Sequence, residues 1–206
     1  MKKKYCIVGC GGFGREVFVC LEDFLNTDIR KNTVFMVTSS VVEHEIMGVP
    51  VISLDEFDPE LYKVVIAVGD PEARKKIAEN LPIETEFTSI IHPTAVVSKY
   101  CEIGKGSIIT AGCIVTCNIK LGKHTHLNLH STIGHDCSIG NYFTTAPGAK
   151  ISGNCKIGEC VYFGTNSSVR QGIDIKDNIT VGMGGVVVKN LVESGVYTGV
   201  PVKKIK

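Results

Sequence analysis

The segment NLHSTIGHDCSIG, residues 128–140, carries residue types that acid–base chemistry needs. His135 is followed directly by Asp136, and a second histidine, His130, precedes them. An imidazole titrates near neutral pH and can take a proton from an attacking amine or hydroxyl. A neighbouring carboxylate can fix the tautomer of that imidazole and stabilise its protonated form. The pair is a candidate base; a solvated corner, with Asp136 present for its backbone preference, is the alternative, and residue types alone leave both open.

The element that carries this pair repeats every six residues. Large apolar side chains recur at that spacing from Ile91 to Val187, with Thr145 as the one polar exception. Three hexads of this kind close one turn of a triangular parallel β-helix, so residues eighteen apart stack on neighbouring coils, about 4.8 Å apart. One position of each hexad is rich in residues that tolerate the positive φ of a tight corner. These predicted corners are Gly106, Gly112, Asn118, Asp136, Gly148, Asn154, Asn166, Gly172, Asn178 and Gly184.

The chain before the hexads alternates strand and helix patterns. YCIVG, NTVFMV and VVIAVG are short apolar strands, and FGREVFVCLEDFL has apolar residues at helical spacing. DPEARKKIAENL predicts a helix with Asp70 as N-cap and Pro71 at its first position. The alternation predicts a small parallel sheet covered by helices. We therefore predict a Rossmann-like α/β domain over residues 1–88 and a β-helix with a C-terminal closing segment over residues 89–206.

Composition narrows the class of protein. The 206 residues carry a net charge of +1, which gives no reason to expect nucleic acid or an anionic membrane as partner. No apolar run approaches the roughly 18 residues that a membrane span needs, and the N-terminus lacks the apolar stretch of a signal peptide, so we expect a cytoplasmic protein. The nine cysteines form no C-x-x-C pair. We expect reduced, buried thiols rather than disulfides or zinc ligands; four share one phase of the repeat, Cys101, Cys113, Cys137 and Cys155.

The hexads IGKGSI, IGHDCS, ISGNCK and IGECVY resemble those of the hexapeptide-repeat acyltransferases. Essentially the whole chain is similar to one branch, the sugar acetyltransferases, through GCGGFGREV, AVGDPEARKKI, SIIHPTAVVS and GVYTGVPVKKIK. That branch includes sialic acid O-acetyltransferase-like proteins and N-acetyltransferases of nucleotide-linked 4-amino sugars. The resemblance implies a left-handed β-helix, acetyl transfer from acetyl-CoA to a sugar amine or hydroxyl in bacterial surface-glycan synthesis, no metal, and a homotrimer with the coenzyme between neighbouring β-helices.

The resemblance also implies roles for individual residues. His135 matches the catalytic histidine of the family and Asp136 the acidic residue after it. Asn128 matches an asparagine near the thioester, and Gly153 matches a glycine whose amide faces the thioester carbonyl. The repeat adds an independent point, because His135 and Gly153 are eighteen apart and therefore share a corner on successive coils.

Further coenzyme contacts are implied less directly. Many relatives carry a second histidine near the coenzyme at the position of Thr144, and His126, eighteen residues earlier, stacks next to that position as a candidate substitute or as a plain polar edge. Lys203 and Lys204 belong to the closing segment GVPVKKIK, which resembles one that runs near the adenine end of coenzyme A. The two lysines are candidate phosphate ligands; a solvated basic tail is the alternative.

A glycine-rich turn follows the first strand. Gly9, Gly11 and Gly14 form G-x-G-x-x-G, with Gly12 and Phe13 between them, in a context that presents backbone N–H groups to phosphate. The stretch VTSS after the second strand lacks the acidic residue of a nicotinamide cofactor site. In the sugar acetyltransferases this turn holds the acceptor. Two features depart from the family pattern: the VTSS stretch, and Phe13 at a position where many relatives carry histidine. Both leave room for a hydroxylated acceptor without a nucleotide. For Gly14, the alternative role is tight packing of the helix on the strand.

Three other functions are alternatives to a sugar N- or O-acetyltransferase that acts on a nucleotide-linked acceptor. The first is an O-acetyltransferase with a non-nucleotide hydroxyl acceptor. The second is a metalloenzyme of the γ-carbonic-anhydrase type, since His130 and His135 imitate the spacing of two ligands; the third ligand would stand at position 94 or 99, where Thr94 and Lys99 cannot complete a three-histidine zinc site. The last is a non-catalytic trimeric scaffold, which the presence of His135 disfavours.

Overall fold

The computed structural model describes residues 3–38 and 42–206. Its N-terminal half is a six-stranded sheet with the order β3-β4-β2-β1-β5-β6, parallel except for the β3-β4 pair. The helices are α1 (Gly12–Leu25) and α2 (Pro71–Asn80), with 3-10 turns at Arg30–Asn32 and Leu54–Glu56. The strands are β1 (Lys4–Val8), β2 (Thr33–Val37), β3 (Glu45–Ile46), β4 (Val49–Ser53), β5 (Tyr62–Ile66) and β6 (Glu86–Phe87).

Both helices begin where the local sequence directs. Helix α1 buries Val17, Cys20 and Leu21, as its helical spacing predicts, whereas Val19 and Phe24 of the same pattern are exposed. Helix α2 starts at Pro71, and the Asp70 carboxylate accepts the Ala73 N–H at 2.7 Å. That bond satisfies one of the N–H groups that the first turn of a helix leaves without a partner. The predicted N-cap and first position of α2 are confirmed.

The second half is a parallel β-helix with three faces. Residues eighteen apart pair in register, so that Ile109 lies between Ile91 and Leu127. This confirms the predicted fold class, a Rossmann-like α/β half followed by a left-handed parallel β-helix. The strands are β7 (Ile90–Ile91), β8 (Val96–Val97), β9 (Glu102–Ile103), β10 (Ile108–Ile109), β11 (Ile114–Val115), β12 (Lys120–Leu121), β13 (His126–Leu127), β14 (Thr132–Ile133), β15 (Ser138–Ile139), β16 (Thr144–Thr145), β17 (Lys150–Ile151), β18 (Lys156–Ile157), β19 (Tyr162–Phe163), β20 (Ser168–Val169), β21 (Asp174–Ile175), β22 (Ile179–Val181), β23 (Val186–Val187), β24 (Gly195–Thr198) and β25 (Lys203–Lys204).

The corners of the coils lie where the hexads predict them. Every predicted corner residue has a positive φ, including 77° at Gly106 and 59° at Asp136. Four further corners of the described coils also adopt it, namely His124, His130, Tyr142 and Cys160. The corners form three edges: edge A (Gly106, His124, Tyr142, Cys160, Asn178), edge B (Gly112, His130, Gly148, Asn166, Gly184) and edge C (Asn118, Asp136, Asn154, Gly172). Face AB is the face between edges A and B, which carries β7, β10, β13, β16, β19, β22, β24 and β25.

Thr145, the one polar residue in the inward series, is fully buried with its hydroxyl in use. The hydroxyl donates to Ser131 Oγ at 2.8 Å and accepts the backbone N–H of Asn128 at 3.1 Å. The buried hydroxyl therefore has hydrogen-bond partners, as buried polar groups require. Of the four cysteines on the shared phase, Cys113, Cys137 and Cys155 are buried as expected, whereas Cys101 is only partly buried.

The N-terminal half packs on face AB. Ile90 and Ile108 point outward from the β-helix, yet both are fully buried in the same apolar cluster as Phe18 of α1. Strand β6 is the last strand of the N-terminal sheet along the chain, and β7 is the first strand of face AB. Neither described helix has the length and apolar character that crossing a membrane requires.

Candidate active site

His135 and Asp136 form a hydrogen-bonded pair at edge C. His135 Nδ1 lies 2.7 Å from Asp136 Oδ2, and about half of each side chain is exposed. The other carboxylate oxygen accepts the Asn118 side-chain amide at 3.2 Å from the preceding coil. Hydrogen bonds from His135 and then from Asn118 hold the pKa of Asp136 below its usual value. Asp136 therefore serves as a corner residue and as an ionised partner of the imidazole at once.

Gly153 lies beneath the His135 ring on the next coil. A β-carbon at position 153 would fall 2.7 Å from His135 Nε2, so only glycine leaves room for the ring. Within the described residues the Gly153 N–H makes no hydrogen bond. The structure thus sets the half-exposed imidazole of His135 against the buried backbone of Gly153, at the edge that the spacing predicts.

The glycine-rich turn divides into structural and open positions. Gly9 has a φ of 101°, and a β-carbon on Gly14 would fall 2.1 Å from the Gly9 carbonyl oxygen. These two glycines build the tight turn that packs α1 on the sheet. Gly11 and Gly12 are exposed with open space around them, and no side chain caps the start of α1. Their side of the turn leaves backbone N–H groups free for a ligand.

Arg15 is a residue that the sequence analysis missed. It lines a cavity of about 630 Å³, which includes Gly12, and a second cavity of about 320 Å³, which includes Val37 at the end of β2. The sequence signal that could have identified Arg15 is a cationic residue in the first helical turn that follows the glycines. Of the VTSS stretch, Ser39 and Ser40 lie outside the described residues.

A crevice of about 340 Å³ separates the glycine-rich turn from face AB. Phe13 and Glu16 line it from α1, and Asn128 and Thr144 line it from the β-helix. The Asn128 side-chain oxygen accepts the Leu129 N–H at 2.7 Å, which orients the amide. Phe13, Asn128 and Thr144 are therefore brought together by the docking of the two halves.

The Thr144 hydroxyl is engaged in that docking. It accepts a hydrogen bond from Arg74 at 2.7 Å and donates to the Gly69 carbonyl at 3.1 Å. Arg74 is fully buried and burial lowers its pKa to about 9, so the guanidinium keeps its charge at neutral pH. Sequence reasoning missed Arg74 as well. Its remaining partners are backbone carbonyls on both halves, those of Val68, Gly69, His124, Tyr142 and Phe143.

Lys203 lies on the last strand of face AB. It is exposed on β25, which pairs antiparallel with β24, while Lys204 bonds Glu193 at 3.0 Å. Five strand steps separate β25 from β13, or roughly 24 Å at about 4.8 Å a step. Lys203 is thus far from β13, and three strand steps from Tyr162 of β19 at the near end of the crevice, on the same face of the β-helix.

The predicted site residues form two groups in one chain. His135, Asp136 and Gly153 lie at edge C, whereas Phe13 and the crevice lie on face AB, the face opposite that edge. His130 lies at edge B, so the two histidines that imitated a zinc spacing belong to different edges. Across residues 3–38 and 42–206, no three His, Cys, Asp or Glu side chains are grouped to hold a metal ion.

Comparisons with known proteins agree with this architecture. Residues 4–81 match the model of the PglD N-terminal domain. GDP-perosamine N-acetyltransferase of Escherichia coli O157:H7 is 30% identical over 174 residues, 82% of this chain and 79% of the relative.

Two solved structures extend the likeness over the whole chain. The acetyltransferase domain of PglB from Neisseria gonorrhoeae, in complex with acetyl coenzyme A, has a TM-score of 0.89 at 28% identity and covers 100% of both chains. PerB from Caulobacter crescentus, in complex with CoA and GDP-perosamine, has a TM-score of 0.89 at 25% identity, over 100% of this chain and 99% of that one. The coiled hexads, the glycine-rich turn before them and these matches place the chain in the hexapeptide-repeat sugar N-acetyltransferases, a family of acetyl-CoA-dependent enzymes.

Proposed function

We propose that the protein transfers the acetyl group of acetyl-CoA to the amino group of a nucleotide-linked sugar, with His135 as general base. The observation that carries the proposal is the arrangement at edge C. There Asp136 lies 2.7 Å from His135 Nδ1, and the ring stands over Gly153. The named activity of the E. coli relative and the ligands of the C. crescentus structure support an amino sugar on a nucleotide as acceptor.

The orientation of the imidazole gives it the role of base. Because Asp136 is ionised, the His135 Nδ1–H donates to it and Nε2 keeps its lone pair. Nε2 then accepts a proton from the attacking amine as the new N–C bond forms. The Asp136 carboxylate stabilises the imidazolium that results, and this contribution is made in the transition state rather than in substrate binding.

Gly153 supplies the second element of the reaction. Its free N–H is a donor for the oxyanion that develops on the acetyl carbonyl. When the C–S bond breaks, His135 returns its proton to the departing thiolate, so that the products are the amide and coenzyme A. A side chain at position 153 would fill the volume in which the base and the donor meet.

A second copy of the chain completes the site in this proposal. The base lies at edge C and the acceptor turn opens on the opposite face AB, so one chain alone does not bring them together. Edge C of one copy, set against the crevice of the next, would unite both groups. A head-to-tail contact of this kind closes into a ring, and the homotrimer implied by the family resemblance is such a ring.

The charges around the acceptor turn favour a nucleotide-linked amine. Glu16 lines the crevice, whose described lining includes no lysine or arginine, and a carboxylate there suits an ammonium group. Arg15 and Gly12 line the larger cavity, and the Arg15 guanidinium with the open N–H of Gly12 suits a diphosphate. Phe13 and the VTSS stretch depart from the family pattern. The competing function is therefore an O-acetyltransferase whose hydroxyl acceptor carries no nucleotide.

The coenzyme would run along face AB. Asn128 at the crevice would lie near the thioester, Lys203 would meet the phosphates at the far end, and Thr144 would support the crevice wall through its bonds to Arg74 and Gly69. A role in bacterial surface-glycan synthesis and a cytoplasmic location, both expected from the resemblance or the sequence, complete the proposal.

The test is coenzyme A release from acetyl-CoA with 4-amino nucleotide sugars, other nucleotide sugars and free sugars. We expect release with an amino nucleotide sugar and a loss of roughly 10²- to 10⁴-fold in kcat for His135→Ala, with acetyl-CoA binding unchanged. His130→Asn, which keeps a residue suited to the positive φ of edge B, is the matched control and retains activity. Release with hydroxyl acceptors alone would make the enzyme an O-acetyltransferase, and release with none would contradict the proposal.

A further inference from the structure

The crevice between the glycine-rich turn and face AB has the character of a sugar pocket. Its volume of about 340 Å³ falls within the range of small-molecule sites. One wall is aromatic, from Phe13, and the others present hydroxyl and amide groups, including those of Asn128, Tyr162 and Thr165. With Glu16 as its one charged lining residue, the described lining suits a hydroxylated or amino ring better than a phosphate.

His126 is an unpartnered polar side chain in that wall. It is 1% exposed, and neither ring nitrogen has a hydrogen-bond partner among the described residues. The Ile66 carbonyl approaches the ring without reaching hydrogen-bond geometry. The ring lines the crevice, and buried polar groups nearly always have a partner, so its unpartnered nitrogens point to a ligand that supplies one.

The neighbours of His126 fix its charge and its orientation. The Phe13 ring lies 5.3 Å from it, centroid to centroid, and Thr144 is its register partner on the next strand. Burial, followed by the positive charge of Arg74 and the nearby His124, holds its pKa well below the usual value. A neutral imidazole offers one donor and one acceptor, which is the complement of a hydroxyl group.

We propose that His126 determines acceptor specificity by hydrogen-bonding a ring hydroxyl of the sugar that enters the crevice beside Phe13. This inference rests on the proposed function for the identity of the ligand as an acceptor sugar. In this inference His126 recognises a hydroxyl of the sugar and Glu16 binds its amino group. His135 of another copy performs the proton transfer. The outward position of His126 on β13 becomes a pocket position because the N-terminal half covers it.

The kinetic test compares His126→Leu and His126→Gln with wild type in the full-length protein. With the acceptor identified by coenzyme release, we expect His126→Leu to lower kcat/KM for that acceptor about 10- to 100-fold, with KM for acetyl-CoA within about twofold. We expect His126→Gln, which keeps a hydrogen-bond donor and an acceptor, to lower kcat/KM for the acceptor less than His126→Leu does. A deoxy acceptor lacking the contacted hydroxyl shows no difference between wild type and His126→Leu, because the lost partner is already absent.

Two outcomes would overturn the inference. One is that His126→Leu lowers kcat/KM by the same factor for every deoxy acceptor of the series. The other is that the substitution affects only the kinetics with acetyl-CoA. Both leave the acetyltransferase activity itself intact in wild type, which separates them from failure of the proposed function.

A binding readout keeps the test independent of turnover. In protein with isotope-labelled histidine, sugars of the panel that bind are expected to shift the His126 ring-nitrogen resonances, and His126→Gln identifies those resonances by their loss. If wild type acetylates no acceptor, the proposed function fails while this measurement still decides the inference. Unchanged His126 resonances with every sugar at saturating concentration would refute it.

Discussion

The His135 ring stands over the backbone of Gly153, so that a β-carbon at position 153 would lie 2.7 Å from both Nε2 and Cε1. Gly153→Ala therefore forces the imidazole away from the position that its bond to Asp136 defines. A misplacement of about 1 Å in a reacting group can reduce turnover about 10²-fold, and we expect a loss of that order in kcat with the fold intact. Coenzyme release and thermal unfolding of the variant measure the two effects separately.

Gly172→Asn is the control for that substitution. Gly172 lies on the same edge, and a β-carbon there meets nothing within 4 Å. Asparagine tolerates the positive φ of the corner, so this variant adds a larger side chain without touching His135. We expect it to keep near wild-type activity. Full activity in Gly153→Ala would show that the close approach of ring and glycine has no catalytic role.

Asp136→Asn tests the carboxylate in the pair. Asparagine keeps the corner geometry but cannot stabilise an imidazolium by charge, and its amide can hold the ring in the wrong tautomer. Because the pair is half exposed, we expect a loss of about 10- to 100-fold in kcat, short of the ~10⁴-fold of buried triads. Asn118→Gly removes the other hydrogen bond to Asp136 and should cost less than Asp136→Asn. Equal turnover in Asp136→Asn and wild type would reduce Asp136 to a corner residue.

The β-helix could be predicted from the sequence because every hexad follows the same pattern of inward and corner residues. Each hexad places one apolar residue inward, and an error of one residue would expose a large side chain such as Ile109 or Ile133. Most of the corners follow from the backbone preferences of glycine, asparagine and aspartate, whereas those at His124, Tyr142 and Cys160 do not. Hence the shared edge of His135 and Gly153 could be deduced by counting, before any tertiary contact was known.

The contact between the halves could not be predicted in this way. Arg74 reads as a solvated helix residue, and His126 as an outward polar residue of a strand, until the face on which the N-terminal half docks is known. Thr144, expected near the coenzyme, has its hydroxyl bonded to Arg74 and Gly69 for the same reason. Docking depends on surface complementarity between non-repeating segments, and no periodicity encodes it.

Arg74 holds the two halves together through buried carbonyls, and its removal should loosen them. Arg74→Met leaves several buried acceptors without a donor, each worth about 1–3 kcal/mol. We therefore expect at least about 3 kcal/mol of destabilisation and faster proteolysis between β6 and β7. Lys76→Met, an exposed position on the same helix, is the matched control and should leave stability unchanged. Thermal unfolding that is identical for the two variants would contradict the role of Arg74.

His124 predicts an acid-sensitive contact between the halves. Its ring stacks on Tyr142 and meets Phe87 edge-on, and burial, with smaller effects of Arg74 and Lys123, lowers its pKa to about 4. The unfolded chain takes up this proton near pH 6.5, before the native state does. Stability is therefore complete above about pH 6.5 and declines as the pH falls toward 4.

The size of that decline follows from the shift in pKa, and amounts to at most about 3 kcal/mol for His124. His124→Asn keeps a residue suited to the φ of 55° at this corner and removes the titrating group. Carboxylates titrate in both proteins, so the difference between the two unfolding curves isolates the histidine. We expect the wild type to lose more stability than the variant between pH 7 and pH 4.5, with parallel curves as the result that would exclude His124 as the source.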